Sequence, residues 1–487
     1  MGARRGARLY VAAAAVTLVT IAAFEWALLP GKDAAPPQRP REGWAAPLQG
    51  QRRPNPQQQQ QPNPQPPPPP LLQQHQPDPQ QPPAQQQHQP GPQQQQQQQH
   101  QPDPQRRPRA PPQLPPACGA ASGWAGDYAA LHASIASGAA PPRFLVHMAS
   151  SGLSDNLAGA VTAFYFALLS GRALVLEGSH WRAAFDPAGV DWGFASTGEL
   201  TARLAAEAGG ARVELVEVKV EEADSGDVAS AGGAAPAAVL ATFTGATHRL
   251  FHNPRARARL HAMGLRPDTA FGCAYTFLFS PRPDALALLA PAAARLRAPG
   301  ALRVGIQIRT GDDAFFTPGA VGPFGTPSQL GAFAACAAEA EAAWRAAEGQ
   351  PVVWFLVSDS AAVRRRAAEL YPGKVVTALG LNLNHSCPGG LARAPGWRWE
   401  LTQCDRANAS DPTNPAAVSA AEQWLLAECD VFVLSARSGF GRLAAARSLR
   451  WGATCFLDNE AGAPRPGGCG RGAGDAYADV ARMPPGL

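Results

Sequence analysis

The feature that most limits what this chain can fold into is a Pro/Gln-rich tract spanning residues 31–117. Within it, residues 66–70 are five consecutive prolines and residues 93–99 are all glutamine. Such a segment carries few large apolar side chains. It cannot bury enough surface to offset the entropy of ordering, so it is expected to stay disordered or extended. Its prolines favour polyproline II, a semi-rigid conformer that rises about 3.1 Å per residue. Any packed core must come from residues 118–487, which is enough chain for one large core or two medium ones.

What precedes the tract explains its use. Arg4, Arg5 and Arg8 stand before an apolar stretch, residues 9–29, broken only by Glu25. Crossing a bilayer takes about 20 residues, and the basic flank should remain cytoplasmic. Residues 1–30 therefore read as a cytoplasmic tail and uncleaved signal anchor. The competing reading is a cleaved signal peptide with its apolar region at residues 10–24. Both deliver the remainder to the secretory lumen. The expectation is a single-pass type II protein of the Golgi membrane, with a lumenal domain held off the bilayer by the 31–117 stem. The stem also admits a second reading, a wall-associated interaction tract.

The net charge of +5 rests almost wholly on arginine, since only Lys32, Lys219 and Lys374 are lysines. No basic run interleaves with aromatics, so no nucleic-acid partner is expected. Arg364, Arg365 and Arg366 read as the solvated face of one helix. All eight cysteines lie past residue 117. No Cys-x-x-Cys occurs, and an even count in an oxidising lumen suits disulfides, with Cys387–Cys404 the pairing we favour. Asn384-His385-Ser386 and Asn408-Ala409-Ser410 are glycosylation sequons. Asp-x-Asp, His-rich metal spacing, the P-loop and the Gly-x-Ser-x-Gly elbow are all missing from the folded part. Neither a catalytic metal nor a cofactor is expected.

The folded part alternates short apolar runs with helical patterns. Residues 144–148 and 173–176 read as strands around a helix at 157–169. A second series follows: strands at 303–308, 352–357, 375–376, 431–434 and 454–457, with helices at 329–347, 360–370, 416–428 and 440–449. Near-continuous apolar strands separated by helices indicate parallel sheets covered on both faces. The chain is α/β, and a break near Pro299 divides it into two Rossmann-like lobes facing a cleft, 118–298 and 299–487. Ligands of such sheets sit beyond the carboxyl ends of the strands, which singles out four loops.

The first loop, Ser150-Ser151-Gly152-Leu153-Ser154-Asp155-Asn156, runs into a helix amino end whose free N–H groups favour polar or anionic atoms. Ser154 or Asp155 would otherwise act as an ordinary cap. After 308 come Arg309-Thr310-Gly311-Asp312-Asp313. The planar fork of Arg309 suits a phosphate, and a structural salt bridge is the alternative. After 357 come Ser358-Asp359-Ser360. Asp359 would accept from a ribose hydroxyl or a base, or else Ser358 or Asp359 would cap the next helix. After 434 come Ser435-Ala436-Arg437-Ser438-Gly439-Phe440-Gly441, in which hydroxyls and glycines at a helix start form a seat for a diphosphate.

These loops, in this order, resemble the fucosyltransferase superfamily: plant xyloglucan fucosyltransferases and, more distantly, α1,6- and protein O-fucosyltransferases. The resemblance rests on Gly152–Leu157 with residues 163–172, on Phe271-Gly272-Cys273-Ala274-Tyr275 and the residues to Pro281, on Gly305-Ile306-Gln307-Ile308-Arg309, on residues 355–360, and on residues 422–430 with 435–441. It implies a two-lobed GT-B fold and an inverting, metal-independent transfer of fucose from GDP-fucose to a glycan acceptor on a polysaccharide or glycoprotein. Arg309 would hold the diphosphate. Asp359, Ser435, Ser438, Gly439 and Phe440 would line the nucleotide site, with Gly152 and Asn156 on the facing loop. Asp155, Asp312 and Asp313 are the carboxylates that could take the acceptor proton, unless no side chain serves as base. The chain has Thr310 where the α1,6 enzymes have a second arginine and Gln307 where many relatives have histidine, so an α1,6 activity is least expected. Two other readings remain: a transferase for a different sugar nucleotide on the same fold, and a non-catalytic glycan-binding protein.

Overall fold

The computed structural model describes residues 112–148, 152–194, 197–207, 209–210, 213, 215–242, 245–310, 330–345, 347–381, 411–436, 438–457 and 469. The expected anchor and nearly all of the stem lie outside these residues, as do both sequons and the favoured Cys387–Cys404 pair. Among the described residues no helix is long and apolar enough to cross a membrane.

Among the described residues, twelve strands form two large sheets and one small one. In chain order they are β1 (Phe144–Met148), β2 (Ala173–Glu177), β3 (Phe185–Pro187), β4 (Gly193–Phe194), β5 (Val216–Val218), β6 (Ala237–Ala241), β7 (Phe279–Pro281), β8 (Leu302–Ile308), β9 (Val352–Ser358), β10 (Val375–Val376), β11 (Val431–Ser435) and β12 (Thr454–Leu457). The first sheet runs β4-β2-β1-β6-β5 and the second β10-β9-β8-β11-β12, with every pairing in both parallel. β3 and β7 make a separate antiparallel pair. The helices that frame the site are α1 (Trp124–Ala136), α2 (Leu153–Ser170), α3 (Pro267–Leu278), α4 (Leu330–Trp344), α5 (Ala361–Leu370), α6 (Pro415–Leu426) and α7 (Gly439–Ser448).

The central strands are predominantly apolar because both faces are covered. Val304, Ile306 and Ile308 of β8 pack in one core cluster with α4, while Phe355 and Val357 of β9 pack in another with α6. α2 is buried almost end to end, from Asn156 to Ser170. A buried arginine closes its far end: Arg172 donates to the carbonyls of Ala231, Ala235 and Gly233 at 2.9, 2.9 and 2.8 Å. Cys118 is disulfide-bonded to Cys273 on α3, and Cys336 on α4 to Cys469.

The arginine run corrects the sequence expectation. Arg364–Arg366 do lie on one helix, α5, but successive residues of a helix are turned about 100° from each other and cannot share a face. Arg364 points inward and is 2% exposed. It forms a bidentate ion pair with Glu422 of α6, Nη2 to Oε2 at 2.9 Å, and its Nε donates to the Ser358 carbonyl at 2.6 Å.

Buried histidines make stability depend on pH. His132 on α1 is buried, with Nε2 3.0 Å from the Leu174 carbonyl, and burial holds its pKa below the ordinary 6.5. Burial lowers His248 as well. The unfolded chain therefore takes up more protons as the pH falls through 6.5, and stability drains away downward from there. The melting temperature is expected to fall between about pH 7 and 5.5, with the buried His132 contributing up to ~1.4 kcal/mol of stability per pH unit and the partly exposed His248 less. Thermal unfolding in a pH series should show a shallower slope for His132→Gln. An identical slope would remove His132 from this account.

Candidate functional site

In the second sheet the strand order reverses at β8. The chain steps from β8 to β9 and β10 on one side, then crosses to β11 and β12 on the other. The crevice beyond β8 and β11 is thus the topological switch point where open α/β sheets bind ligands. Arg309 leaves β8 there, Ser435 ends β11, and Asp359 follows β9 one strand away.

These three residues interlock. The Arg309 N–H donates to Ser435 Oγ at 2.9 Å, and the Ser435 hydroxyl donates to the Gln307 carbonyl at 3.2 Å. Asp359 Oδ1 accepts from both the N–H and the hydroxyl of Thr310, at 2.8 and 2.9 Å. Its Oδ2 lies 3.2 Å from Arg309 Nη1. Asp359 is mostly buried, whereas the Arg309 side chain keeps 25% exposure. The carboxylate therefore orients the guanidinium at the crevice mouth, and the salt bridge is compatible with a phosphate-facing role. The expectation that Ser358 or Asp359 caps α5 is corrected. Ser360 is the cap, its Oγ accepting from the Val363 N–H at 3.3 Å, which releases Asp359 to face Arg309 and Thr310.

The fourth loop turns tightly. The Ser438 N–H donates to the Ser435 carbonyl at 3.0 Å, and α7 begins at Gly439 with no capping side-chain hydrogen bond from Ser438. Gly441 seats this first turn directly on the sheet. A Cβ there would stand 2.8 Å from Gln307 Oε1 and 2.9 Å from Leu434 Cδ2. Gln307 is buried, and among the described residues its Oε1 has no hydrogen-bond partner.

The loop after β1 comes to the same place. α2 starts earlier than its apolar spacing indicates, at Leu153, so Ser154, Asp155 and Asn156 belong to its first turn. Gly152 is its N-cap and, having no side chain, supplies no capping hydrogen bond of its own. The expected Ser154 or Asp155 cap is therefore corrected: both side chains project from within the helix. A Cβ on Gly439 would lie 3.2 Å from Ser154 Cβ and 3.9 Å from Asp155 Oδ1. Two helix amino ends, one from each half of the fold, thus meet beside the β8–β11 crevice. Each carries about half a positive charge and free N–H groups, so the place between them favours an anion. Asp155 already lies against it.

The structure thus gathers Arg309, Asp359, Ser435, Ser438, Gly439 and Phe440 with Gly152, Ser154 and Asp155. Asn156 is buried in the first turn of α2. Asp312 and Asp313 lie outside the described residues. Sequence reasoning missed Thr310, which ties Asp359 to the β8 loop. The signal was there, because Thr310 directly follows the arginine and carries a hydroxyl. Among the described residues, the His/Cys/Asp/Glu group close enough to share a metal ion is Cys336, Cys455 and Cys469. It is buried in the core, and Cys336 and Cys469 are disulfide-bonded.

No protein-family model matches the chain, and no curated protein matches its sequence. Solved structures do. A GDP complex of an arginine-to-lysine mutant of FUT1 from Arabidopsis thaliana superposes with a TM-score of 0.51 at 15% identity, covering 74% of this chain and 84% of that one. The fucosyltransferase NodZ from Bradyrhizobium aligns with a TM-score of 0.36 at 16% identity, over 66% of this chain and 97% of that one. The first of these shows a fucosyltransferase-like fold.

Proposed function

We propose that this chain is an inverting, metal-independent glycosyltransferase that moves fucose from GDP-fucose to a glycan acceptor. The observation that carries the reading is the meeting of two helix amino ends beside Arg309 at the switch point of the second sheet. This is a seat for a compact, highly charged anion, and a sugar nucleotide supplies one in its diphosphate. GDP in the Arabidopsis structure of the same fold supports the choice of nucleotide. In the transfer, an acceptor hydroxyl attacks the anomeric carbon as the bond from that carbon to the diphosphate breaks. Charge grows on the departing diphosphate oxygens. Arg309 and the N–H groups at Gly439–Gly441 stabilise it, in the manner of preorganised donors aimed at developing charge. Asp359 holds Arg309 in place. The acceptor proton passes to a carboxylate of the cleft; of the candidates Asp155, Asp312 and Asp313, Asp155 is the one that lies among the described residues.

We place the catalytic domain in the Golgi lumen, as a GT-B pair of lobes tethered through residues 9–29 and the stem. The test is a donor screen of the purified protein against GDP-fucose and other sugar nucleotides, with polysaccharide and glycoprotein acceptors, in the presence and absence of excess EDTA. Fucose transfer that persists with EDTA is expected. Transfer from a different donor, none from any donor, or complete loss on chelation with recovery on manganese would each overturn the corresponding part of the proposal.

A further inference from the structure

Phe440 lies in the first turn of α7, the helix whose amino end faces Ser154 and Asp155. Its carbonyl accepts a hydrogen bond from Gln423 Nε2 at 3.1 Å. Gln423 stands on α6 and is wholly buried. Its Oε1 accepts from the Tyr275 hydroxyl at 2.8 Å, and Tyr275, on α3 in the first half of the fold, is also wholly buried. Chemistry fixes the direction of this chain of bonds. A carbonyl only accepts, so the Gln423 NH₂ must face Phe440, its oxygen must face Tyr275, and Tyr275 must donate. Burial pushes the phenol pKa up, so the donor proton stays in place.

At the other end of α7, α3 makes a tight direct contact. A Cβ on Gly272 would stand 2.5 Å from the Ala446 carbonyl and 3.1 Å from Arg447 Cα. The Arg447 guanidinium lies 3.2 Å over the ring of Trp424, the residue after Gln423. α3 therefore packs directly on the carboxyl end of α7 and reaches its amino end through Gln423 of α6.

We infer that Tyr275 and Gln423 are positioning residues for the donor. Their relay sets the lie of the first turn of α7 and so the aim of its N–H groups at the diphosphate. The inference rests on the GDP-sugar reading of this site and adds two residues that do not touch the nucleotide. A purely structural polar pair behaves differently: replacing both partners with apolar groups of similar shape is close to neutral.

The test is the double variant Tyr275→Phe/Gln423→Met in the full chain, with GDP binding measured by calorimetry alongside thermal unfolding and donor and acceptor KM. The melting temperature is expected to stay near that of the wild type. The GDP Kd and the donor KM are expected to rise about tenfold, the size of one lost buried hydrogen bond, with the acceptor KM unchanged. An unchanged Kd in the folded double variant would overturn the inference. Should that variant not fold, Tyr275→Phe alone carries the same test, with a rise of about threefold or more expected and an unchanged Kd overturning it. Wild-type protein that binds no GDP would instead overturn the donor reading itself, which separates the two failures.

Discussion

Arg309→Lys is expected to lose about 10²–10³ of turnover, the usual effect of removing one donor from a site of developing negative charge. It is also expected to keep its melting temperature within about 2 °C. Both expectations follow from where Arg309 sits. It leaves a buried central strand, its N–H is bound by Ser435, and its side chain is held by Asp359. Lysine retains the charge and can still pair with Asp359, so the fold loses little. It cannot span two diphosphate oxygens with a planar fork. The contact strengthens as the leaving group gains charge, so the loss should appear in kcat as well as in the donor KM. A role confined to the Arg309–Asp359 salt bridge gives the reverse pattern, a lower melting temperature with turnover per folded molecule preserved. Melting temperature and turnover on one preparation decide between them.

Glu422→Ala is expected to be the most damaging single change to stability. Arg364 and Glu422 are each 2% exposed and bound to one another. Removing the carboxylate leaves an uncompensated buried guanidinium, which costs about 3–5 kcal/mol. The melting temperature should drop by roughly 6–15 °C. The loss reaches the site, because Arg364 also holds the Ser358 carbonyl, one residue before Asp359. The double change Arg364→Met/Glu422→Leu should recover much of the stability, since no charge is left stranded. Thermal unfolding of the three variants measures this, and a Glu422→Ala protein that melts with the wild type would contradict it.

Legibility in the sequence followed the physics of burial. Strands such as β1, β9 and β12 are covered on both faces and stand out as continuous apolar runs. In the first sheet β2 was legible too, but β4, β5 and β6 were not. β6 reads Ala-Ala-Val-Leu-Ala, which in an alanine-rich chain cannot be told from helix, and β5 and β4 are only three and two residues long. Consecutive arginines concealed opposite fates: Arg364 is buried in an ion pair, while Arg366 pairs with Glu369 at the exposed surface. The loops that form the site were legible one by one, because hydroxyls, glycines and one arginine followed apolar strands. Their mutual contacts were not. Thr310 and Asp359 are 49 residues apart, and Tyr275 and Gln423 are 148 apart. No local pattern encodes such pairings, which arise only once two sheets have fixed the loop positions.

A crystal structure of the chain with bound GDP tests the central claim most directly. The diphosphate is expected to lie between the Arg309 guanidinium and the N–H groups of Gly439–Gly441, with the first turn of α2 facing it. Nucleotide bound elsewhere, or a diphosphate out of reach of both Arg309 and the amino end of α7, would contradict the account.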